Sequence, residues 1–489
     1  MGIELSASRL IAPYYGSSLF VWTNVIGVIL AALALGYYLG GKLSEIKPHI
    51  KSLLVILFIA GILTAIVPFI IKPLAYVFAF DPSMFGSVSA VIVIGSFFLT
   101  VLLFFIPIML MGMTSPFLIK IVSHDRIDMG NVSGRIFAIS TLGSIVGTFL
   151  PALIFIPIFG TKATILIFAC VLIVMGSAGF LPKKFYPMIL LIFLSFTQVD
   201  ASLKSSKNMI TEAESAYQYV QVQEDEEGIR TLVYNEGGAF QSLYNSNTIW
   251  NNGHYYDVIS LTPQLVLGGG VAKNVLVVGS AGGTIIRTMD GLFGNSFIIT
   301  GVEIDKKVIQ IARDFFGLDK IGAVIQEADG RNYLQFNNSV YDVVMVDAYS
   351  NQMYIPFHLA TKEFFKLVQS RLVAGGILTM NVNAPSDNSK ILKSISNTLM
   401  AVFDNVYAIH VPDTWNYVLL ASDKEIDFEH LSKAVFRGNL NFTNFAPIVA
   451  DYAEKLDRDP KVRILTDDWA PLENMTDAMI WEAIREQLR

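Results

Sequence analysis

KNVLVVGSAGGTIIRTMDGLFGNSFIITGVEID, residues 273–305, reads as a strand, a small-residue turn, a helix and a second strand. NVLVVG is a continuous aliphatic run, TIIRTMDGLF carries apolar residues at helical spacing, and SFIITGVEI returns to an apolar run. Apolar strands joined through an amphipathic helix are the unit of a parallel sheet covered on both faces. The alternation continues outward. KKVIQIARDFFG predicts a helix, AVIQEAD and YDVVMVDAY strands, TKEFFKLVQSRL a helix and GILTMNV a strand. A doubly wound α/β domain is therefore expected over 261–489. Ahead of it, YQYVQVQE and IRTLVYNE alternate apolar with polar residues until Gly237 and Gly238. They predict a small antiparallel element at 216–245, within a linker region 201–260.

Residues 1–200 differ in composition, holding only 11 of the 35 Lys/Arg and 6 of the 41 Asp/Glu. Apolar runs near 18–40, 52–71, 87–111, 136–158 and 163–181 match the roughly 20 residues that a helix needs to cross a bilayer core. A sixth, shorter run covers Phe185 to Val199, so a bundle of about six spans is expected. With hydrophobic residues at 53% and a mean hydropathy of +0.52, the chain is neither wholly soluble nor disordered. A net charge of −6 argues against nucleic acid as a partner. The lone Cys170 excludes an internal disulfide framework, a cysteine zinc site and a CxxC motif, and no metal-ligand spacing occurs elsewhere.

MGIELSASRLIAP at the start lacks a basic region ahead of an apolar core, so it is expected to be a cytosolic or interfacial end rather than a cleavable signal. Small residues in the spans, Gly36, Gly40 and Gly41, then Ser140, Gly143 and Gly147, predict close helix packing. Mid-depth ionisable groups are nearly absent, which favours an anchor over a transport pathway. Eight Lys/Arg fall in the loops after the first, third and fifth spans against Lys72 and Lys162 in the others, placing the former in the cytosol. A full sixth crossing would then put the α/β domain outside. Phe185 to Val199 spans only ~20 Å at ~1.5 Å per residue against a ~30 Å core, so partial insertion and a cytosolic domain are expected.

In an open parallel sheet the ligand lies beyond the carboxyl ends of the strands. Four such ends carry informative residues. Gly279, Gly282 and Gly283 allow close backbone approach. Glu303, roughly 20 residues on, suits ribose hydroxyls, with Asp305 expected to cap the next helix. Asp329 is positioned for the exocyclic amine of adenine, and Asp347 faces the same crevice. His358 reads as a cap or surface contact more readily than as a base. Asp467 and Asp468 fit either pocket lining or helix entry.

Together, ESAYQ at 214–218, the strand and loop at 275–284, VEID at 302–305, ADGR at 328–331 and YDVVMVDAY resemble spermidine synthases in order and spacing. With the helical half, ASRLIAPYYGSS, IPFHLATKEFF and LTDDWAP, the chain resembles the membrane-integral branch of that family. The resemblance implies a Rossmann-type, methyltransferase-like fold with a small N-terminal β-element. It implies S-adenosylmethionine (SAM) or decarboxylated SAM as substrate, no prosthetic group, and 5'-methylthioadenosine as product. It assigns Glu303 to ribose, Asp329 to adenine, Gln218 to the nucleoside, and Asp347, with Tyr255 and Asp257, to the reacting amine. Two departures stand out: Gly282 replaces an aspartate that binds the arm's ammonium, and Ser350 replaces the second aspartate of the catalytic loop.

The expected activity is an aminopropyl-type transferase or a lyase that transfers or cleaves the three-carbon arm. The alternatives are a methyltransferase acting on a membrane-soluble acceptor, and a transporter or sensor with a non-catalytic nucleoside domain. Gly282 removes a carboxylate that would repel the carboxylate of intact SAM, and the Gly282-Gly283 turn is expected to offer N–H groups to an anion. Intact SAM is therefore expected to bind better than decarboxylated SAM. The partners expected are this nucleoside and a bilayer, with a homo-oligomer admitted.

Overall fold

The computed structural model describes residues 1–15, 19–77, 88–123, 129–179, 182, 208–215, 217–235, 240–266, 273–350, 353–436 and 438–487. The expected run 185–199 lies outside them. The chain forms two compact units, one of Met1–Ser205 with Glu214–Tyr219, the other of Ser206–Ala213 with Val220–Arg489.

In the first unit five helices are long and apolar enough to cross a membrane: Val21–Ile46, Ile50–Ala75, Val93–Ser123, Met129–Phe155 and Ile158–Ser177. The N-terminal stretch is a helix, Gly2–Tyr15, with Ala7, Leu10 and Ile11 fully buried. Its small and branched residues pack with Val25, Ile29 and Leu103 in one apolar cluster. In the first glycine set close packing holds at Gly36 and Gly40 but not at Gly41, which has nothing within 4 Å. A Cβ on Gly36 would lie 2.2 Å from the Met109 carbonyl oxygen, and one on Gly40 2.7 Å from Met113 Cα. Gly143, by contrast, has nothing within 4 Å.

The second unit carries a four-stranded sheet, β1 (Met209–Glu214), β2 (Tyr219–Glu224), β3 (Arg230–Tyr234) and β4 (Phe240–Tyr244), starting one strand earlier than expected. The larger sheet has eight strands: β5 (Lys273–Val278), β6 (Phe297–Glu303), β7 (Val324–Glu327), β8 (Tyr341–Val346), β9 (Leu372–Asn383), β10 (Asn405–His410), β11 (Asn416–Ser422) and β12 (Ala453–Lys455). Their order is β12-β10-β11-β9-β8-β5-β6-β7. β9, β8, β5, β6 and β7 run parallel. β11, β10 and β12 are added antiparallel, an edge that the reading as a purely parallel sheet missed.

Alternation along the strands divides the core. Leu276, Val278, Val344 and Val346 face Phe364, Phe365 and Ile395 on one side. Val275, Val277, Val343 and Met345 face Ile286, Met289 and Phe442 on the other. The helices are stopped and started by short-range chemistry. Asp305 accepts the Lys307 N–H to cap Lys306–Phe316, and Gly317 at φ +70° ends it; Asp329 caps Gly330–Phe336 and Thr361 caps Lys362–Arg371.

The contact at Gly36 leaves no room for a side chain, whereas Gly27 has nothing within 4 Å. Gly36→Val is therefore expected to cost about 1–3 kcal/mol through overpacking, and Gly27→Val far less. Thermal unfolding of the detergent-solubilised chain tests this, and equal melting temperatures for the two variants would refute the packing.

Candidate active site

The helix after β5, Thr284–Phe293, packs on one face of the sheet and the helix after β8, Lys362–Arg371, on the other. β5 and β8 are neighbours, so a crevice opens at their carboxyl ends, the switch point of the sheet. The Asp347 N–H continues the ladder to the Val278 carbonyl at 2.9 Å. Gly279 sits at φ +83°, and a Cβ there would lie 2.6 Å from both Ala348 Cα and the Asp347 carbonyl oxygen. Only glycine meets both demands.

The turn after β5 is closed on itself. The N–H groups of Gly279 and Ser280 donate to the Val302 carbonyl, that of Ala281 to Glu303 Oε2, that of Gly282 to Ser242 Oγ at 2.8 Å, and that of Gly283 to the Ser280 carbonyl. All five amides are consumed, so the expected anion-binding N–H groups of Gly282 and Gly283 are not on offer. The reason is β4, whose Ser242 backs onto the turn; a Cβ on Gly282 would lie 2.7 Å from Ser242 Cβ.

Glu303 accepts the Asp305 N–H on its other oxygen at 3.1 Å. Burial pushes its carboxyl up to about 7, against the pull of these backbone donors. It braces the turn while ending β6.

Asp347 is where the polar groups converge. Its Oδ2 accepts the Tyr255 hydroxyl at 3.1 Å and its Oδ1 accepts Asn381 Nδ2 at 2.9 Å. The Asn381 amide is held this way round because its Oδ1 accepts from Asn416 Nδ2, which also reaches Asn383 Oδ1. Tyr349 donates to the Asn381 carbonyl. Burial pushes the Asp347 carboxyl up to about 7, with the Asn381 and Tyr255 bonds opposing it. The residue as a whole is half-buried. Asn381, Asn416 and Tyr349 escaped the sequence reading. The one signal for Asn381 was a polar residue inside the apolar run GILTMNV.

Asp257 departs from its expected place beside a reacting amine. It is fully buried and its two oxygens take the Asn251 and Gly253 N–H groups and Asn251 Nδ2, pinning the 251–253 loop. Burial pushes it up to about 7. Gln218 lies in Glu214–Tyr219, which is grouped with the helices in the first unit. Ser350 is spent in a tight pairing with Tyr354.

At the end of β7, Asp329 bonds His358 Nε2 at 2.8 Å as well as capping its helix, and this bond holds its carboxyl below the usual range. His358, with its side chain 33% exposed, is thus tied to this strand end. Asp467 forms a fork with Arg331 and accepts the Thr361 hydroxyl, tying the LTDDWAP segment to this strand end.

Residues 261–429, which hold all of these strand ends, match the family described as the spermine/spermidine synthase domain. The C-terminal half carries a spermine/spermidine synthase domain. A probable polyamine aminopropyl transferase of Bifidobacterium longum is 30% identical over 296 residues, covering 54% of this chain and 62% of that protein. The chain thus spans under two thirds of that relative's length. The polyamine aminopropyltransferase of Vibrio vulnificus is 26% identical over 300 residues, 58% of this chain and 97% of that one. A probable spermidine synthase structure from Corynebacterium glutamicum aligns at TM-score 0.43 and 18% identity, covering 54% of this chain and 98% of its own.

Within this spermine/spermidine synthase domain, Gly282 is a packing position against β4. Gly282→Asp is expected to lower the melting temperature of the whole chain by several degrees, a cost of about 1–3 kcal/mol. An unchanged melting temperature would restore Gly282 as a free position lining the crevice.

Proposed function

We propose that this domain binds an adenosyl sulfonium and transfers its three-carbon arm to an amine, with decarboxylated SAM as donor. The observation that carries the reading is Asp347: a carboxylate at the switch point, oriented by Tyr255 and Asn381 and raised to about 7 by burial. The relatives named polyamine aminopropyltransferases support it.

In the proposed reaction the amine lone pair attacks the arm carbon attached to sulfur. The C–S bond breaks with its electron pair moving to sulfur, which leaves as the neutral thioether 5'-methylthioadenosine. The new ammonium then loses its extra proton to Asp347. A base that titrates near working pH suits that step, and its location fixes the amine close to the arm. Glu303 holds the ribose, and the β7 end holds the adenine.

A second reading keeps the same donor site without an amine acceptor. Gly282 and Ser350 stand where the family has two further carboxylates, so a flexible diamine has fewer anchors. Cleavage of intact SAM by its own carboxylate or amine would need fewer. The apolar helices, we infer, hold the chain in a bilayer with the domain on the cytosolic side, where the nucleotide is made.

Inverted membrane vesicles containing the chain, given decarboxylated SAM and a diamine, are expected to form 5'-methylthioadenosine and the aminopropylated amine in equal amounts by mass spectrometry. The rate is expected to rise as pH passes up through about 7, because a raised carboxyl is protonated and inactive below its pKa. S-adenosylhomocysteine from SAM would indicate methyl transfer instead, and methylthioadenosine from SAM alone would indicate the lyase.

A further inference from the structure

Between β1 and β2 the turn Glu214–Tyr219 is grouped with the helices, not with the sheet it leads into. Each part of it is gripped there. Glu214 Oε2 accepts the Thr161 N–H, where the helix Ile156–Ser177 is interrupted by Gly160 at φ +80°. A Cβ on Gly160 would lie 2.9 Å from that carboxylate oxygen, so glycine serves both the backbone conformation and the close approach. Arg9 Nη1 donates to the Ser215 carbonyl at 2.7 Å. Tyr219 is 4% exposed and shares an apolar cluster with Ile3, Ala7, Leu10 and Ile11 of the helix Gly2–Tyr15.

The turn is also tied within itself. Ser215 Oγ accepts the Tyr217 and Gln218 N–H groups, both at 3.0 Å, and the Ser215 N–H donates to the Gln218 carbonyl. Two of the bonds that hold it from outside come from charged groups, Arg9 and Glu214, and such bonds are the stronger kind.

Beyond Tyr219 the strand enters the α/β unit. Side chains alternate across a strand, and Val220 and Val222 are fully buried with Val308, Ile311 and Phe316 of the helix after β6, in a cluster that Ala281 joins. β2 pairs with β3, and β3 with β4. β4 in turn holds the turn after β5. Ser242 Oγ accepts the Gly282 N–H, and Leu243 bonds the Thr284 hydroxyl through both its N–H and its carbonyl, each at 2.9 Å. The path from Tyr219 to Gly282 is thus covalent or hydrogen-bonded at every step.

We propose that Arg9 and Glu214 are positioning residues of the donor site. By fixing the turn Glu214–Tyr219 they fix β2 and, through the small sheet, the turn after β5. The helical unit then contributes to catalysis as well as anchoring the chain, acting through the sheet and not by contact with substrate. This inference rests on the adenosyl reading above for its ligand, whereas the mechanical link stands apart from it.

The test uses the detergent-solubilised full chain and two readouts. Hydrogen exchange followed by mass spectrometry is expected to quicken about tenfold at 240–244 and 281–284 in Arg9→Ala and in Glu214→Ala, while β10 and β12, at the far edge of the large sheet, keep their natural rates. Calorimetric affinity for 5'-methylthioadenosine is expected to fall about tenfold in the same variants. It stays within about twofold of natural in Arg9→Lys and Glu214→Gln, which keep a donor and an acceptor. Ser215→Ala removes one oxygen and leaves both charged contacts in place, so it loosens the turn with the least disturbance to folding. It is expected to move both readouts the same way by a smaller amount. Unchanged exchange at 281–284 in all three alanine variants overturns the proposal. So does faster exchange spread equally to β10 and β12, the mark of a general loss of stability. Faster exchange at the turn with unaltered nucleoside affinity overturns the link to the donor site. A natural chain that binds no nucleoside overturns the adenosyl reading, and the exchange pattern alone then decides the mechanical link.

Discussion

The missing Cβ at Gly279 is the constraint on which the site depends. β5 and β8 can lie side by side, with the chain leaving toward opposite faces, only because Ala348 and the Asp347 carbonyl pass within 2.6 Å of where that atom would be. That passage seats Asp347 at the switch point and, through the Val302 carbonyl, fixes the start of the turn that Glu303 braces. Any side chain at Gly279 would separate the strand end that closes the turn from the one that carries the reactive carboxylate.

Three acids, Asp257, Glu303 and Asp347, are all pushed up to about 7 by burial, yet they do different work. Asp257 and Glu303 accept backbone N–H groups of nearby loops, so their first task is to hold those loops. Asp347 is held by two side chains, from the helix Tyr255–Leu261 and from β9, and remains partly exposed. The oxygens of a loop-holding acid can still accept a further hydrogen bond, as proposed for Glu303 and the ribose, but an acid oriented by side chains can exchange a proton without releasing a loop. That difference singles out Asp347 among groups of similar acidity.

The fold was legible where composition carries the information. KNVLVV and YDVVMV are continuous apolar runs because both faces of their sheet are covered, and the helices between them show their apolar stripe. Strand direction is not written in a strand's own residues. NVYAIH and NYVLLAS look like any buried strand, and the short Val411–Trp415 connection is what makes them antiparallel. Strand-end acids were legible by position, but their partners were not. Asn381 lies 34 residues from Asp347, His358 29 from Asp329, Ser242 40 from Gly282 and Asp467 136 from Arg331. Gly282 shows the consequence: a glycine at a helix start reads as open backbone, and only the approach of β4 reveals that its amide is already bonded.

The central claim is that Asp347 accepts the proton of the attacking amine. Its most direct measurement is the single-turnover rate of 5'-methylthioadenosine release from decarboxylated SAM and a diamine by the natural chain and by Asp347→Asn. The asparagine keeps a hydrogen-bonding group of the same shape but accepts no proton. The account predicts a fall of about a hundredfold or more in rate, with nucleoside affinity retained. A rate within a few fold of the natural chain would contradict it.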